Sequence, residues 1–388
     1  MAKTLIIGPF GDHGGRELEA GFIASEINGK HKVRVISTSN ISAKSQIFQF
    51  QAGLPVTSLK QLLYSNFLSL KPATLFSYFR NRKKEPIYFY VNNHFNSKSI
   101  KRKEKVLLSK LIVEYDLILI VAHLFTLRTK EIIELCNKNK IPVIFRTTGE
   151  IKFQPDFPGY LRKVSHFIHH SRKNADSLHE QIKSTSYSII DQTTFLQDQF
   201  LEIPVLNKCV SNFLVVGRLS PEKNLINLIK YFKACSTEND QLVIVGDGEL
   251  KAEIKILIND SVNVQLKGQL AQRELIKVYK KCDCLIISSY TEAGPLVGME
   301  AMASGRLILS SHVGAMPERL ENSKNDFWFD PEDLSSFKNQ FQKIKNLDSM
   351  EVSKIAEINR SIYLQKYSTK KVSEAYLSVV DKFLSKEE

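Results

Sequence analysis

Glu292 and Glu300 flank seven residues in SSYTEAGPLVGMEAMASG (288–305), and Arg218 and Lys223 flank four in VVGRLSPEKNL (215–225). A carboxylate can accept two sugar or ribose hydroxyls at once. Paired cations beside a strand end can hold a diphosphate through charge-assisted hydrogen bonds of roughly 1.5–3 kcal/mol each. Ser220-Pro221 reads as an N-cap and first helical position, which puts Lys223 in a first turn, where a cation opposes the helix dipole. That unfavourable placement makes sense if an anion lies between Lys223 and Arg218. Pro295 suits the start of a second helix, so the amides of Leu296 and Val297, following Gly294, would meet a phosphate or a sugar hydroxyl. Glu292 would then reach the sugar, and Glu300, further along the helix, the ribose. Singly, each of these residues reads as readily as a surface lysine, a dipole-complementing glutamate or a solvated helix position. The set together points to a nucleotide sugar.

Weaker candidates lie in the first half. In GPFGDHGGRE (8–17), Gly14 and Gly15 open a helix and would leave amides free for an anion; a tight strand-to-helix turn explains them equally well. His13 and His123, near strand ends, are candidates for acceptor contacts and equally for structural roles. His166, His169 and His170 resemble a ligand cluster. On a strand, however, 166 and 169 face opposite sides, and 166 and 170 lie ~13 Å apart at ~3.3 Å per residue. No Asp-x-Asp occurs, so neither a metal nor any other cofactor is expected, and cations with helix amides would do the electrostatic work.

These residues need strand ends to carry them. Short apolar runs alternate with amphipathic stretches: TLIIG (4–8), KVRVIST (32–38), IYFYV (87–91), LILIV (117–121), PVIFR (142–146) and SHFIHH (165–170). A second series follows: FLVVG (213–217), QLVIVG (241–246), NVQLKG (263–268), CLIISS (284–289) and RLILSS (306–311). Continuous apolar strands between helices predict parallel sheets covered on both faces. The fold class is therefore α/β, with two doubly wound domains and a ligand cleft beyond the strands' carboxyl ends. The expected division is 1–205, 206–367 and a terminal helix over 368–388, the boundary lying near LEIPVLNKCVSN (201–212).

At 388 residues, two domains are the natural expectation, and 43% apolar with 24% charged residues is a soluble globular profile. No run approaches the ~18 apolar residues of a membrane span. MAKTLIIGPFG reads as a strand and loop rather than a signal peptide, and five cysteines without framework spacing fit a reduced, cytosolic setting. The net charge of +13 is uneven: between Arg80 and Lys110 ten Lys or Arg face only Glu85 and Glu104. Such a surplus is either a solvated face or a patch for polyanions, among them the anionic inner face of the cytoplasmic membrane.

In GRLSPEKN, VIVGDGEL (243–250), LKGQL (266–270), SSYTEAGPLVGMEAMASG and VGAMPE (313–318), in that order and spacing, the chain resembles glycosyltransferase family 4. These are retaining nucleotide-sugar transferases of the GT-B fold, two Rossmann-like domains facing a cleft. The resemblance is strong from about 212 to 320. It implies that Arg218 and Lys223 hold the donor diphosphate, Glu300 the ribose and Glu292 the transferred sugar. The backbone from Gly294 through Pro295 and Leu296 to Val297 would line the phosphate and sugar site, and the terminal helix would cross back onto the first domain. Ala293 stands where glycine is usual. In FRTTGE (145–150), Thr148 replaces a histidine that contacts the donor sugar in many members. The function expected is transfer of a hexose-type sugar from a nucleoside diphosphate to a hydroxyl of a carbohydrate or lipid-linked acceptor, in polysaccharide or glycolipid assembly. The alternatives are a GT-B sugar-nucleotide epimerase or phosphorylase, and a non-enzymatic basic protein that binds nucleic acid; the Arg218/Lys223/Glu292/Glu300 set argues against the last.

Overall fold

The computed structural model describes residues 1–51, 53–91, 97–154, 157–183 and 186–385. The strands of the first half are β1 (Lys3–Gly8), β2 (Lys32–Ser37), β3 (Val56–Ser58), β4 (Leu117–Ala122), β5 (Val143–Thr147), β6 (His166–His169) and β7 (Ser186–Ile189). They form one parallel sheet in the order β3-β2-β1-β4-β5-β6-β7. The second half supplies β8 (Asn212–Val216), β9 (Gln241–Val245), β10 (Val264–Gly268), β11 (Cys284–Ile287) and β12 (Leu307–Ser310). Their order is β10-β9-β8-β11-β12, again parallel. Central strands such as LILIVA in β4 are buried along their whole length because helices cover both faces.

Each sheet reverses its strand order once, between β1 and β4 and between β8 and β11. The carboxyl ends flanking such a reversal diverge and leave a crevice where ligands bind in open α/β sheets. The loops after β8 and β11 carry Arg218, Lys223 and Glu292, and those after β1 and β4 carry His13, Gly14, Gly15 and His123.

The chain passes between the halves twice. The first passage joins β7 to β8. The second follows the helix Ser349–Ile362, which packs Val352, Ile355 and Ala356 into the second core, and runs through a π-helical turn over Tyr363–Tyr367. The helix Thr369–Leu384 then buries Val372, Tyr376 and Val380 in the first domain's core. The expected terminal helix extended to 388, and 386–388 lie outside the described residues. Tyr363 ties the two passages together: its hydroxyl lies 2.9 Å from Thr193 Oγ1 and donates to Gln197 Oε1 at 3.1 Å.

Three expectations are corrected. IYFYV is not a strand but a 3₁₀ turn, Ile87–Tyr90, entered from Pro86. Strands β3 and β7 were not anticipated; they are short, and VTS and SYSI carry no apolar run. Ser220-Pro221 opens only the 3₁₀ turn Pro221–Lys223, because Asn224 turns left-handed (φ 53°) before the helix Leu225–Cys235 begins.

Candidate active site

Lys223 is thus held ahead of a helix rather than inside its first turn. Two loops are stitched together around it. Ser288 Oγ donates to Lys223 O at 2.7 Å, and Tyr290 Oη donates to Asn224 Oδ1 at 2.9 Å. Strand β11 ends at Ile287, so Ser288 and Ser289 belong to the loop and are free to make these bonds. Lys223 Nζ pairs directly with Glu292 Oε1, which also accepts from Ser289 Oγ at 3.0 Å. Arg218, Lys223, Ser289, Glu292 and Val297 line one pocket at the carboxyl ends of β8 and β11. Arg218 is exposed there, while Lys223 and Glu292 are partly covered. The two cations share one wall, and the first carboxylate already neutralises one of them.

Pro295 caps the helix Leu296–Ala303, so Leu296 and Val297 occupy its first turn, where amides have no carbonyl within the helix to bond. Glu300 sits on the same helix but is buried, and its Oε2 accepts from Tyr279 Oη at 2.9 Å. Burial pushes its carboxyl up to about 7, against the opposing effect of the Tyr279 bond. Burial, then the Glu300 charge, keep the Tyr279 phenol protonated and able to donate.

The first domain faces this wall across a cavity of about 310 Å³ lined by His123, Phe125, Glu150, Lys152 and Thr291. His123 lies against Gly149, where an added Cβ would come within 2.7 Å of its ring. Packing around it, then Arg16, hold its imidazole below the usual range and so neutral. Thr148 Oγ1, one strand over, is buried without a hydrogen-bond partner. His13 is exposed. The pair Gly14 and Gly15 divides: Gly14 N–H donates to Gln46 Oε1 at 2.8 Å, and the Glu17 carboxylate closes on it, whereas Gly15 has open space. Two free amides were expected; at Gly14 a glutamine occupies the donor and a carboxylate stands where an anion would bind.

A roomier groove of about 490 Å³ lies between the helix Gln272–Lys281 and the sheet, reaching Asn212 and Gln241 at the amino ends of β8 and β9. Parallel sheets carry their ligands at the other end. Among the histidines once considered together, His166 bonds Ser186 and Ser188, His169 lies 2.9 Å from Thr147 Oγ1, and His170 meets Arg146.

Sequence reasoning missed a second constellation. Glu19, Arg146, His170, Asp191 and Arg319 are all buried and run in contact from the first domain to the carbonyl of Pro295. The only signal was a charge inside an apolar pattern, Arg146 in PVIFR and Glu19 beside Leu18 and Phe22, each requiring a buried partner.

Residues 199–360 match the family model described as glycosyl transferases group 1. The lipopolysaccharide 1,2-N-acetylglucosaminetransferase of Salmonella typhimurium is 29% identical over 178 residues, 42% of this chain and 46% of that protein. An uncharacterised glycosyltransferase of Methanocaldococcus jannaschii is 32% identical over 127 residues, 32% of this chain and 33% of its own length. The chain thus spans less than half the length of these curated relatives. Similar structures extend over the whole chain. The Anabaena protein HepE in complex with UDP and glucose has a TM-score of 0.69 at 17% identity, covering 98% of this chain and all of that one. A glycosyltransferase from Rickettsia africae reaches 0.72 at 16% identity and covers both chains completely. The likeness to glycosyl transferases group 1 thus lies in residues 199–360, and the chain as a whole has the GT-B fold.

Proposed function

We propose that the chain transfers a hexose-type sugar from a nucleoside diphosphate to an acceptor hydroxyl. The observation that carries this is the convergence of Arg218, Lys223 and Glu292 on one pocket where the order of the second sheet reverses. In this reading the diphosphate enters between Arg218 and the amides of Leu296 and Val297 and takes Lys223 from Glu292. The released carboxylate turns to the hydroxyls of the sugar. As the bond from sugar to diphosphate breaks, negative charge grows on the leaving group, and each fixed donor facing it contributes roughly 2.7–4 kcal/mol. Glu300, in its ionised form, accepts from the ribose. Neutral His123 stands across the cavity, where its one unprotonated ring nitrogen can take a proton from an acceptor hydroxyl. Retention of configuration follows from the family resemblance. The complex of HepE with UDP and glucose makes UDP-glucose the first donor to try. Incubation of the chain with UDP-, GDP- and ADP-sugars, with and without saccharide acceptors, tests the assignment. Transfer of the sugar to a hydroxyl supports it; epimerised donor or phosphorolysis in its place would remove it.

A second feature bears on the acceptor. Leu68, Phe76 and Phe79 are exposed, and Phe67 and Ser69, on either side of Leu68, line a groove with Lys98, Arg102 and Lys103 of the helix Ser97–Ile112, which also carries Lys101 and Lys105. Of the two acids in this basic window, Glu104 is buried against Arg128. We infer that this face rests on an anionic bilayer, apolar side chains inserted and cations at the headgroups, bringing a lipid-linked acceptor to the cleft. Among the described residues no helix is long and apolar enough to cross a membrane. Sedimentation with vesicles of phosphatidylglycerol against pure phosphatidylcholine tests this, and equal recovery on both would dismiss it.

A further inference from the structure

The buried charged chain beneath the loop after β11 joins the two domains in a directional way. Glu19 Oε1, on the helix Gly15–Asn28, accepts from Arg146 Nε and Nη2 at 2.8 and 2.6 Å. Arg146 also donates to Ile190 O at 2.7 Å and, through Nη2, to His170 Nδ1 at 2.5 Å. Asp191 follows Ile190 directly and receives a two-pronged contact from Arg319: Nε to Oδ2 at 2.7 Å and Nη2 to Oδ1 at 2.6 Å. The remaining prong, Nη1, donates to Pro295 O at 2.5 Å. Both guanidinium groups are wholly inaccessible to solvent. The preceding residue, Glu318, also reaches across: its carboxylate accepts the amides of Arg172 and Lys173, which open the helix Arg172–Ile182 of the first domain.

The loop backbone lies flat on this fork. A Cβ at Gly294 would stand 2.7 Å from Arg319 Nη2 and 3.5 Å from both Asp191 Oδ1 and His170 Cβ. A buried ion pair is a poor way merely to hold two domains together, since apolar residues of the same volume do so at least as well. What a planar fork adds is direction: it fixes two carboxylate oxygens and a carbonyl in one plane, which neither an apolar pair nor a lysine can do.

We propose that Asp191 and Arg319 are positioning residues that set the Gly294–Val297 loop through the carbonyl of Pro295, so that the loop takes its binding shape only when the first domain is docked. The linkage between domain docking and loop shape belongs to the free chain. What the loop then binds rests on the donor assignment above.

Hydrogen exchange on the full chain tests the linkage without any ligand. The amides of Gly298 and Ala315 donate to Pro295 O and Ala293 O at 3.0 and 2.9 Å and so report on the loop. In Arg319→Lys, and to a lesser degree in Asp191→Asn, their exchange should rise at least tenfold, along with that of Arg172 and Lys173, while β11 and β12 keep their protection. Asp240→Asn is the control, since it breaks a pair with Lys345 at the opposite end of the second sheet; it should leave those amides unchanged. Unchanged exchange at Gly298 and Ala315 in both variants, or a rise spread evenly over β8 to β12, would overturn the proposal. Titration with UDP, GDP and ADP separates the two claims. Binding of the preferred diphosphate at least tenfold weaker in Arg319→Lys extends the linkage to the donor, whereas a wild-type chain that ignores all three diphosphates but shows the local exchange pattern loses the donor assignment and keeps the linkage.

Discussion

Lys223 and Glu292 are each other's partner in the ligand-free chain, so a diphosphate gains a cation only by parting them. Lys223→Ala is therefore expected to lower turnover about 10²–10³-fold, the range for losing one fixed donor to a developing anion. The fold should persist, because the pair is partly solvated and its loss costs about 1 kcal/mol or less. The same variant leaves the Glu292 carboxylate facing the diphosphate uncompensated. Lys223→Ala/Glu292→Gln should accordingly bind the nucleotide diphosphate more tightly than Lys223→Ala alone, as calorimetry would show. Glu300 offers a pH signature. With its carboxyl raised to about 7, the ionised form that accepts ribose hydroxyls grows between pH 6 and 8. Affinity for a nucleotide sugar should rise over that range in the wild type, and Glu300→Gln should flatten the rise. Arg218, Lys223 and Glu292 were legible in the sequence because each lies within a few residues of a strand end. The Glu300–Tyr279 bond was not, since nothing local in GMEAMASG announces a phenol 21 residues away.

Strand ends and turns set these side chains, and glycines mark where two such elements touch. At Gly294 a Cβ would strike Arg319, a group held rigid by two carboxylate bonds, while at Gly298 it would strike Sδ of Met316, an unbranched side chain with no such bonds to a carboxylate. Gly294→Ala should therefore lower the melting temperature and the nucleotide affinity more than Gly298→Ala, because methionine can move aside and the guanidinium cannot. Equal losses would contradict the geometry. The strands of the second sheet could be read almost to the residue, since FLVVG, QLVIVG and CLIISS are continuous apolar runs bounded by turns. Where apolar pattern and local backbone chemistry disagree, the pattern misleads. IYFYV is as apolar as any strand, yet it follows proline and folds as a turn. Strands β3 and β7 are held at the sheet's edges by pairing and, in β7, by the bonds of Ser186 and Ser188 to His166, which a hydropathy pattern does not register.

Across the whole molecule, the division into two parallel sheets could be read from the sequence, but the contact between domains could not. Glu19, Arg146, Asp191 and Arg319 come from four distant stretches and have meaning only once folded. Burying so many titratable groups has a measurable consequence. Burial, then neighbouring basic groups, push His166 down to about 4, His169 down to about 3 and His170 well below its ordinary 6.5. Below pH 6.5 the unfolded chain takes up three protons at these histidines that the folded chain refuses, so stability falls as the pH falls. Glu300 acts the other way: the folded chain keeps its proton from about 4.5 to 7, and stability falls as the pH rises through that window. Three groups outweigh one below about pH 6, leaving roughly two protons and a loss of about 2–3 kcal/mol per pH unit. Urea midpoints from pH 6 to pH 5 should decline accordingly, and a midpoint that rose on acidification would contradict the burial of these histidines.

The account stands most directly on calorimetric titration of UDP, GDP and ADP, each beside its parent nucleoside, into the wild type, Arg218→Ala and Lys223→Ala. The prediction is that at least one diphosphate binds the wild type, and binds each variant at least tenfold more weakly, while the nucleoside binds all three chains alike. Diphosphate affinity that ignores both substitutions, or no preference for diphosphate over nucleoside, would contradict it.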